Sequence, residues 1–192
     1  MGTLIWSTNS TLDGVVHDPD GQEGSRHGGW FREFGGEDLE EWAGVVFAEA
    51  LSTDALLLGR RSDAWFGERW SERDGEWADR LNSLPKYVAS SLLEEPKWTN
   101  ATVLRGDVVS AVSELKGRVD GQIVLYASYQ LGRTLLQHGL VDELRLIVFP
   151  AVLGSGERIF GEGSDMTALR LRSSGTIGKN LIQLAYEVVR PR

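Results

Sequence analysis

Two periodicities alternate along most of the chain. Ala55–Leu58 (ALLL) and Gln122–Ala127 (QIVLYA) are short, almost wholly apolar runs, the pattern of strands covered on both faces. Between such runs the apolar spacing changes to three and four. Over Glu37–Leu51 it sets Leu39, Trp42, Val46 and Ala50 on one helix face, with Glu37 and Asp38 in the first turn, where the helix dipole favours acid. The same reasoning predicts helices over Arg60–Trp70, Glu76–Leu84, Asp107–Val119 and Ser128–His138, with Asp107 and Ser128 at cap positions. Further strands are predicted over Thr3–Thr8 (extended by Leu12–Val16 after a turn), Lys86–Ser90, Ala101–Leu104 and Asp142–Phe149. Strand-helix alternation implies a parallel sheet with right-handed crossovers. The end of the chain reads differently: Leu169–Arg172 and Asn180–Val189 flank a turn, Ser173–Lys179, and predict an antiparallel hairpin at one sheet edge. His17–Gly36 holds six glycines in twenty residues and is predicted to be a long loop without a regular element. Loops of that length in a compact domain are usually functional or mobile.

Composition narrows the function classes. With 192 residues, 41% hydrophobic and 25% charged, the chain is expected to fold as a single domain over 1–192 rather than remain disordered. A formal net charge of -8 opposes a nucleic-acid backbone and an anionic membrane surface, so neither partner is expected. The lack of cysteine removes disulfide frameworks, thiolate nucleophiles and Cys-ligated metals together. No apolar run approaches the roughly 18 residues of a spanning helix, and a cytoplasmic location is expected.

Candidate chemistry is concentrated at strand ends. His17, His27 and His138 have no metal-ligand spacing, so no metal is expected, and His138 beside Gly139 fits a helix C-terminus. Gly154-Ser155-Gly156 is not followed by a helical pattern and reads as a loop. More informative is Leu58-Gly59-Arg60-Arg61-Ser62, a buried strand that turns through glycine into a helix headed by two arginines and a serine. Helix-start amides plus guanidinium charge form an anion site, and arginine there suits a nucleotide 2′-phosphate. Two solvated surface arginines are the plain alternative. Ser90-Ser91 and Ala127-Ser128 end two more strands, and the three junctions side by side would make a groove for an elongated phosphorylated ligand.

The segments STNSTLDGVV, ALLLGRRSDAWF, LPKYVASSL, TVLRGDV and GQIVLYASYQLGRTLLQHGLVDELRLIVFPAVLGSGERIFG, with the terminal strand pair, resemble the dihydrofolate-reductase-like family typified by the RibD C-terminal reductase domain of riboflavin biosynthesis. The resemblance implies an α/β fold with a mixed, mostly parallel sheet flanked by helices and a C-terminal antiparallel hairpin. It also implies NADPH as cofactor, a homodimer, and hydride transfer to a small heterocyclic or carbonyl-like substrate, as in 5-amino-6-(5-phosphoribosylamino)uracil reductase. By position, Gly59, Arg60, Arg61 and Ser62 match the 2′-phosphate and pyrophosphate segment, and Ser90 and Ser91 a second adenosine-side contact. Ala127, Ser128, Tyr129 and Gln130 match the pyrophosphate turn, where the family usually has glycine in place of Ala127. Asp13 matches a segment near nicotinamide and substrate; it would position or protonate the substrate, and protonation requires a raised pKa. Asp13-Gly14 is equally an ordinary turn pair. Glu157 is a weaker candidate near the substrate, and Trp6 and Trp30 are candidate pocket walls or plain core. Two other readings stay open: a non-catalytic nucleotide-binding dimer on this fold, and a pteridine reductase.

Overall fold

The computed structural model describes residues 1–161 and 165–190. Hydrogen bonding orders its eight strands β4-β3-β2-β5-β1-β6-β8-β7. By contacts the chain divides into two compact units, one of residues 1–6 and 47–142, the other of residues 7–46 and 143–192. Strand β1 (Thr3–Thr11) enters both.

The first unit carries the parallel strands β2 (Ala55–Gly59), β3 (Lys86–Ala89), β4 (Ala101–Leu104) and β5 (Gln122–Tyr126). Pairing of β2 with β3 and β5, and of β3 with β4, is parallel throughout. Leu56, Leu57 and Leu58 have no exposed surface, as a parallel strand covered on both faces requires. Burial of each such side chain is worth about 1.5–3 kcal/mol. The core of this unit joins Ile5, Leu56, Leu58 and Val124 to the aromatics Trp70, Trp98 and Tyr126, with the Phe66 ring stacked on Trp98 at 5.3 Å.

The second unit is built on the antiparallel ladder of β6 (Glu143–Phe149), β8 (Leu181–Val189) and β7 (Ala168–Ile177). One face packs Ile147, Phe149, Ile177 and Leu181 against Trp30. The register puts Leu146 beside Leu184 and Tyr186 beside Leu171 on the opposite face, where Leu171 is 52% and Ile182 45% exposed.

Element limits differ from the sequence expectations in three places. The predicted turn Ser173–Lys179 is largely strand: β7 runs to Ile177 through a bulge between Leu171 and Ser173. Turn-type residues were outweighed by ladder pairing with β8. Within the predicted loop, Trp30–Gly35 forms a short helix (α1), which the buried Trp30 docks. A 3-10 turn, Gly36–Asp38, then leads into α2 (Leu39–Ser52). The expected extension of the first strand over Leu12–Val16 is reduced to one antiparallel bridge between Val15 and Arg158. Helices α3 (Arg60–Trp70), α4 (Glu76–Ser83), α5 (Val108–Arg118) and α6 (Tyr129–Gln137) lie where the spacing puts them.

Candidate functional site

In the first unit, register aligns Gly59 with Ala89 and Leu57 with Leu125, so the carboxyl ends of β3, β2 and β5 share one edge. This is the arrangement expected from the sequence. At the end of β2 the chain enters α3 directly from an extended Gly59, whose φ is -82° and ψ 161° and which supplies no side-chain cap. Arg60 and Arg61 follow on the exposed first turn.

One hydroxyl joins this junction to the next. Ser128 Oγ accepts from Gly59 N at 3.0 Å and donates to Ser62 Oγ at 2.8 Å. Ser128 therefore does not cap α6 with its side chain, contrary to expectation, because its hydroxyl is turned across to the neighbouring turn. Among the described residues no acceptor takes the Ser62 proton.

Backbone conformation at the same turn is unusual. Ala127 and Ser128 are consecutive non-glycine residues with φ of 48° and 45°. Each costs about 1–2 kcal/mol in the left-handed region. The position where glycine is usual in the family thus keeps a glycine-like conformation with a methyl group attached. Trp6 holds it, donating from Nε1 to Ala127 O at 2.9 Å. The indole is fully buried and lies so close to α6 that a Cβ at Gly132 would come within 2.2 Å of Trp6 Cε2. Trp6 is a core lock rather than a pocket wall.

The remaining predicted contacts are less convergent. Ser90 Oγ accepts from the Leu92 and Leu93 amides at 3.2 and 3.1 Å and so shapes its own turn, with Ser91 exposed beside it. Tyr129 is half-buried under the Arg133 guanidinium, 5.2 Å from the ring centroid, and Gln130 is exposed. Sequence reasoning missed Asp63. Its buried carboxylate accepts from Lys97 N at 2.8 Å and Trp98 N at 3.2 Å, tying α3 to the segment after β3. Its place one residue after Ser62 gave no signal of that role.

Asp13 belongs to the second unit. Its carboxylate accepts from Thr11 Oγ1 at 2.7 Å, Gly154 N at 2.9 Å and Leu153 N at 3.2 Å, with Arg158 Nη2 at 3.8 Å. Burial is the largest single influence on its pKa and acts upward, but the hydrogen bonds from Thr11, Gly154 and Leu153 together prevail and hold it below the ordinary carboxylate value. The raised pKa that proton donation requires is absent; charge at Asp13 is stabilised. The carboxylate fixes the turn at 153–154, and Gly154-Ser155-Gly156 lies in that loop, as expected. Arg158, which also donates from Nε to Asp13 O at 3.0 Å, was not foreseen. Glu157 is exposed and its carbonyl accepts from Val16 N at 2.9 Å.

The glycine-rich loop is built on Asp18, only 1% exposed, whose carboxylate accepts from Glu23 N and Ser25 N at 2.9 Å each. Trp30 closes it, donating from Nε1 to His17 O at 2.9 Å while its ring meets Phe149 edge-on at 5.3 Å. Trp30, at 1% exposed, is likewise core. His138 ends α6 with Nδ1 2.8 Å from Thr134 O, a structural position as expected.

Parallel strand ends opening into two helix starts, with an antiparallel hairpin completing the sheet order, define a dihydrofolate-reductase-like fold. Dihydrofolate reductase from Enterococcus faecalis, complexed with NADP(H), aligns with a TM-score of 0.58 at 14% identity, over 97% of this chain and 96% of that one. A putative riboflavin biosynthesis protein from Shewanella sp. PV-4 aligns with a TM-score of 0.75 at 20% identity, over 99% and 100%. Residues 2–183 match the RibD C-terminal domain, and the chain belongs to that family. An uncharacterized Bacillus subtilis protein, YyaP, is 28% identical over 138 residues, 69% of this chain and 73% of its own. Among the described residues no helix is long and apolar enough to cross a membrane, and no group of three or more His, Cys, Asp or Glu side chains is placed to hold a metal ion.

Proposed function

We propose that the protein is an NADPH-dependent reductase that transfers hydride to a small heterocyclic or carbonyl-like substrate of the riboflavin-pathway type. The observation that carries this reading is the joined edge of the first unit, where the Ser128 hydroxyl links the Gly59 amide and Ser62 at the head of α3. Those residues fit a dinucleotide. Arg60 and Arg61 would face the 2′-phosphate, and the Ser62 proton would meet a phosphate oxygen. The turn at Ala127, with Ser128, Tyr129 and Gln130, would line the pyrophosphate, and Ser90 and Ser91 the adenosine side. When bound, NADPH supplies the hydride.

Asp13 acts in this proposal by position. Its carboxylate stays ionised and holds the 153–154 turn, so the proton for the product comes from water rather than from Asp13. The low Asp13 pKa is also the one observation favouring a second reading, a nucleotide-binding protein without turnover. We further propose a cytoplasmic homodimer, whose contact would cover the apolar sheet face bearing Leu171 and Ile182.

The deciding experiment titrates NADPH and NADH separately, then follows NADPH oxidation with ribosylaminopyrimidine, pteridine and carbonyl acceptors. NADPH should bind at least tenfold more tightly, with turnover on one acceptor class. Equal affinities would remove the 2′-phosphate assignment, and tight binding without turnover would select the second reading. A light-scattering mass near 21 kDa at micromolar concentration would count against the dimer.

A further inference from the structure

Strand β1 starts level with β5, since Thr3 N donates to Gly121 O at 2.8 Å and the two strands are neighbours in the sheet. Its fourth residue, Trp6, therefore comes level with the end of β5, where the chain turns into α6. The buried indole meets that turn on two sides. Nε1 donates to Ala127 O at 2.9 Å, and the ring lies against Gly132, one helical turn after Ser128, where a Cβ would come within 2.2 Å of Cε2. Glycine inside a helix weakens it, and at 132 it makes the room that the ring needs.

The turn between those two contacts is strained. Ala127 and Ser128 both have positive φ, a region that residues with a Cβ occupy only where their surroundings hold them. The peptide joining them is trans, so its C=O and N–H point to opposite sides. With the carbonyl drawn in to the indole, the Ser128 N–H is turned outward. The amides of Ser128, Tyr129 and Gln130 have no acceptor among the described residues. Gly132 N donates to Ser128 O at 2.9 Å and starts the helix, while the Ser128 hydroxyl joins Gly59 N to Ser62 Oγ. Without the indole bond the peptide is free to rotate toward ordinary φ, and the outward N–H goes with it.

We propose that Trp6 is the positioning residue of this turn, holding the Ala127 carbonyl inward so that the three amides stay aimed at an anionic ligand. That the ligand is the pyrophosphate of NADPH rests on the reductase reading; the geometry of the turn does not. The hydrogen bond also couples the two sides of the peptide. An anion on the Ser128 N–H polarises the peptide group and makes Ala127 O a stronger acceptor, so the indole bond tightens as the site fills.

Inorganic pyrophosphate, titrated at constant ionic strength and followed by backbone and indole NMR, tests this without turnover. In the unmutated protein the Ser128, Tyr129 and Gln130 amide signals should move saturably and the Trp6 Nε1–H signal with them. The Nε1–H of Trp98, bound to Asn82 Oδ1 at 2.7 Å, should stay in place. Trp6→Phe keeps a ring beside Gly132 and removes the donor; it should weaken pyrophosphate binding about tenfold, equal to about 1.4 kcal/mol. Adding Ala127→Gly should restore most of that affinity, because glycine adopts positive φ without being held. Leu135→Val, a buried change elsewhere in α6, should lower stability and leave affinity alone. The proposal is overturned by a lack of any pyrophosphate response, by a Trp6 Nε1–H signal that stays still while the amides move, or by undiminished affinity in Trp6→Phe. It is overturned equally by a loss that Ala127→Gly does not recover or that Leu135→Val reproduces. The same series with NADPH separates the two claims: pyrophosphate binding that depends on Trp6, in a protein that does not bind NADPH, removes the reductase reading and keeps the positioning role.

Discussion

The strand-end edge of the first unit and the loops of the second place charge in opposite ways. At the strand-end edge of the first, guanidinium groups stand exposed and hydroxyls bridge one turn to the next. In the second, carboxylates are turned inward to collect backbone amides: Asp13 takes those of 153 and 154, Asp18 those of 23 and 25, and Asp38 those of 179 and 180. Each of those three aspartates has its pKa held below the ordinary value. A parallel β/α unit presents helix-start amides at its strand ends, ready for an external anion. Long irregular loops have unpaired amides of their own, and internal carboxylates satisfy them. On the proposed reading the same charge chemistry would receive a ligand at that edge, while in these loops, as at Asp63 in the first unit, it builds scaffold.

The contrast breaks first at Asp13. Asp13→Asn places an amide N–H opposite the backbone donors of the 153–154 turn, and kcat in NADPH oxidation should fall about a hundredfold with NADPH affinity nearly unchanged. In the unmutated protein no limb of a pH–rate profile between about pH 5 and 8 should belong to Asp13, because its carboxyl is held below the ordinary 3.8. A limb in that range abolished by Asp13→Asn would make it a proton donor after all.

Next in size is the exposed edge. Arg60→Ala combined with Arg61→Ala should weaken NADPH binding at least tenfold and leave NADH little changed, measured by fluorescence titration. Comparable losses for both cofactors would show that the arginines support the helix rather than the 2′-phosphate.

A buried cation sharpens the comparison from inside the first unit. Lys86 is 1% exposed, donates from Nζ to Leu84 O and Asn82 O, and lies 4.7 Å from the Trp98 ring centroid. Burial lowers its pKa from 10.5 to about 8, against the pull of Asp63. Below pH 8 the folded and unfolded chains both carry the proton, and the cost of burying the charge is complete. Between about 8 and 10.5 the unfolded chain holds the proton and the folded one does not, so stability rises with pH, by about 1 kcal/mol per pH unit. Urea unfolding at pH 7.5 and 9.5 should show that gain in the natural protein and not in Lys86→Met. The carboxylates of the second unit give a slope of the same sign at the acid end, because their folded pKa values are also lowered, although there it is the charged form that the fold stabilises. Their stability is present above the unfolded value near 3.8 and is lost as pH falls through the lower folded values.

The smallest expected effect is at the strained turn. Ala127→Gly relieves a left-handed alanine at the cost of a more flexible unfolded chain, leaving a net gain of about 0.5 kcal/mol in stability. A loss instead would mean that the methyl group packs usefully at the edge.

Local pattern in the sequence carried much of this protein. Apolar runs bounded by glycine located the buried strands, and spacings of three and four located the long helices, because both signals come from which faces are covered. Gly59, Arg60, Arg61 and Ser62 were legible for the same reason: a strand-to-helix junction puts them at a strand end whatever the rest of the chain does. The partners that define the sites lie far away in sequence and left no local trace. Ser128 bonds Gly59 across 69 residues, and Asp13 bonds Gly154 across 141. Whether a carboxylate donates a proton or collects amides, whether Trp6 lines a pocket or locks a turn, and whether Ser173–Ile177 turns or pairs all depend on groups brought close by the completed fold. Burial and hydrogen bonding act through distance in space, and tertiary structure alone sets that distance.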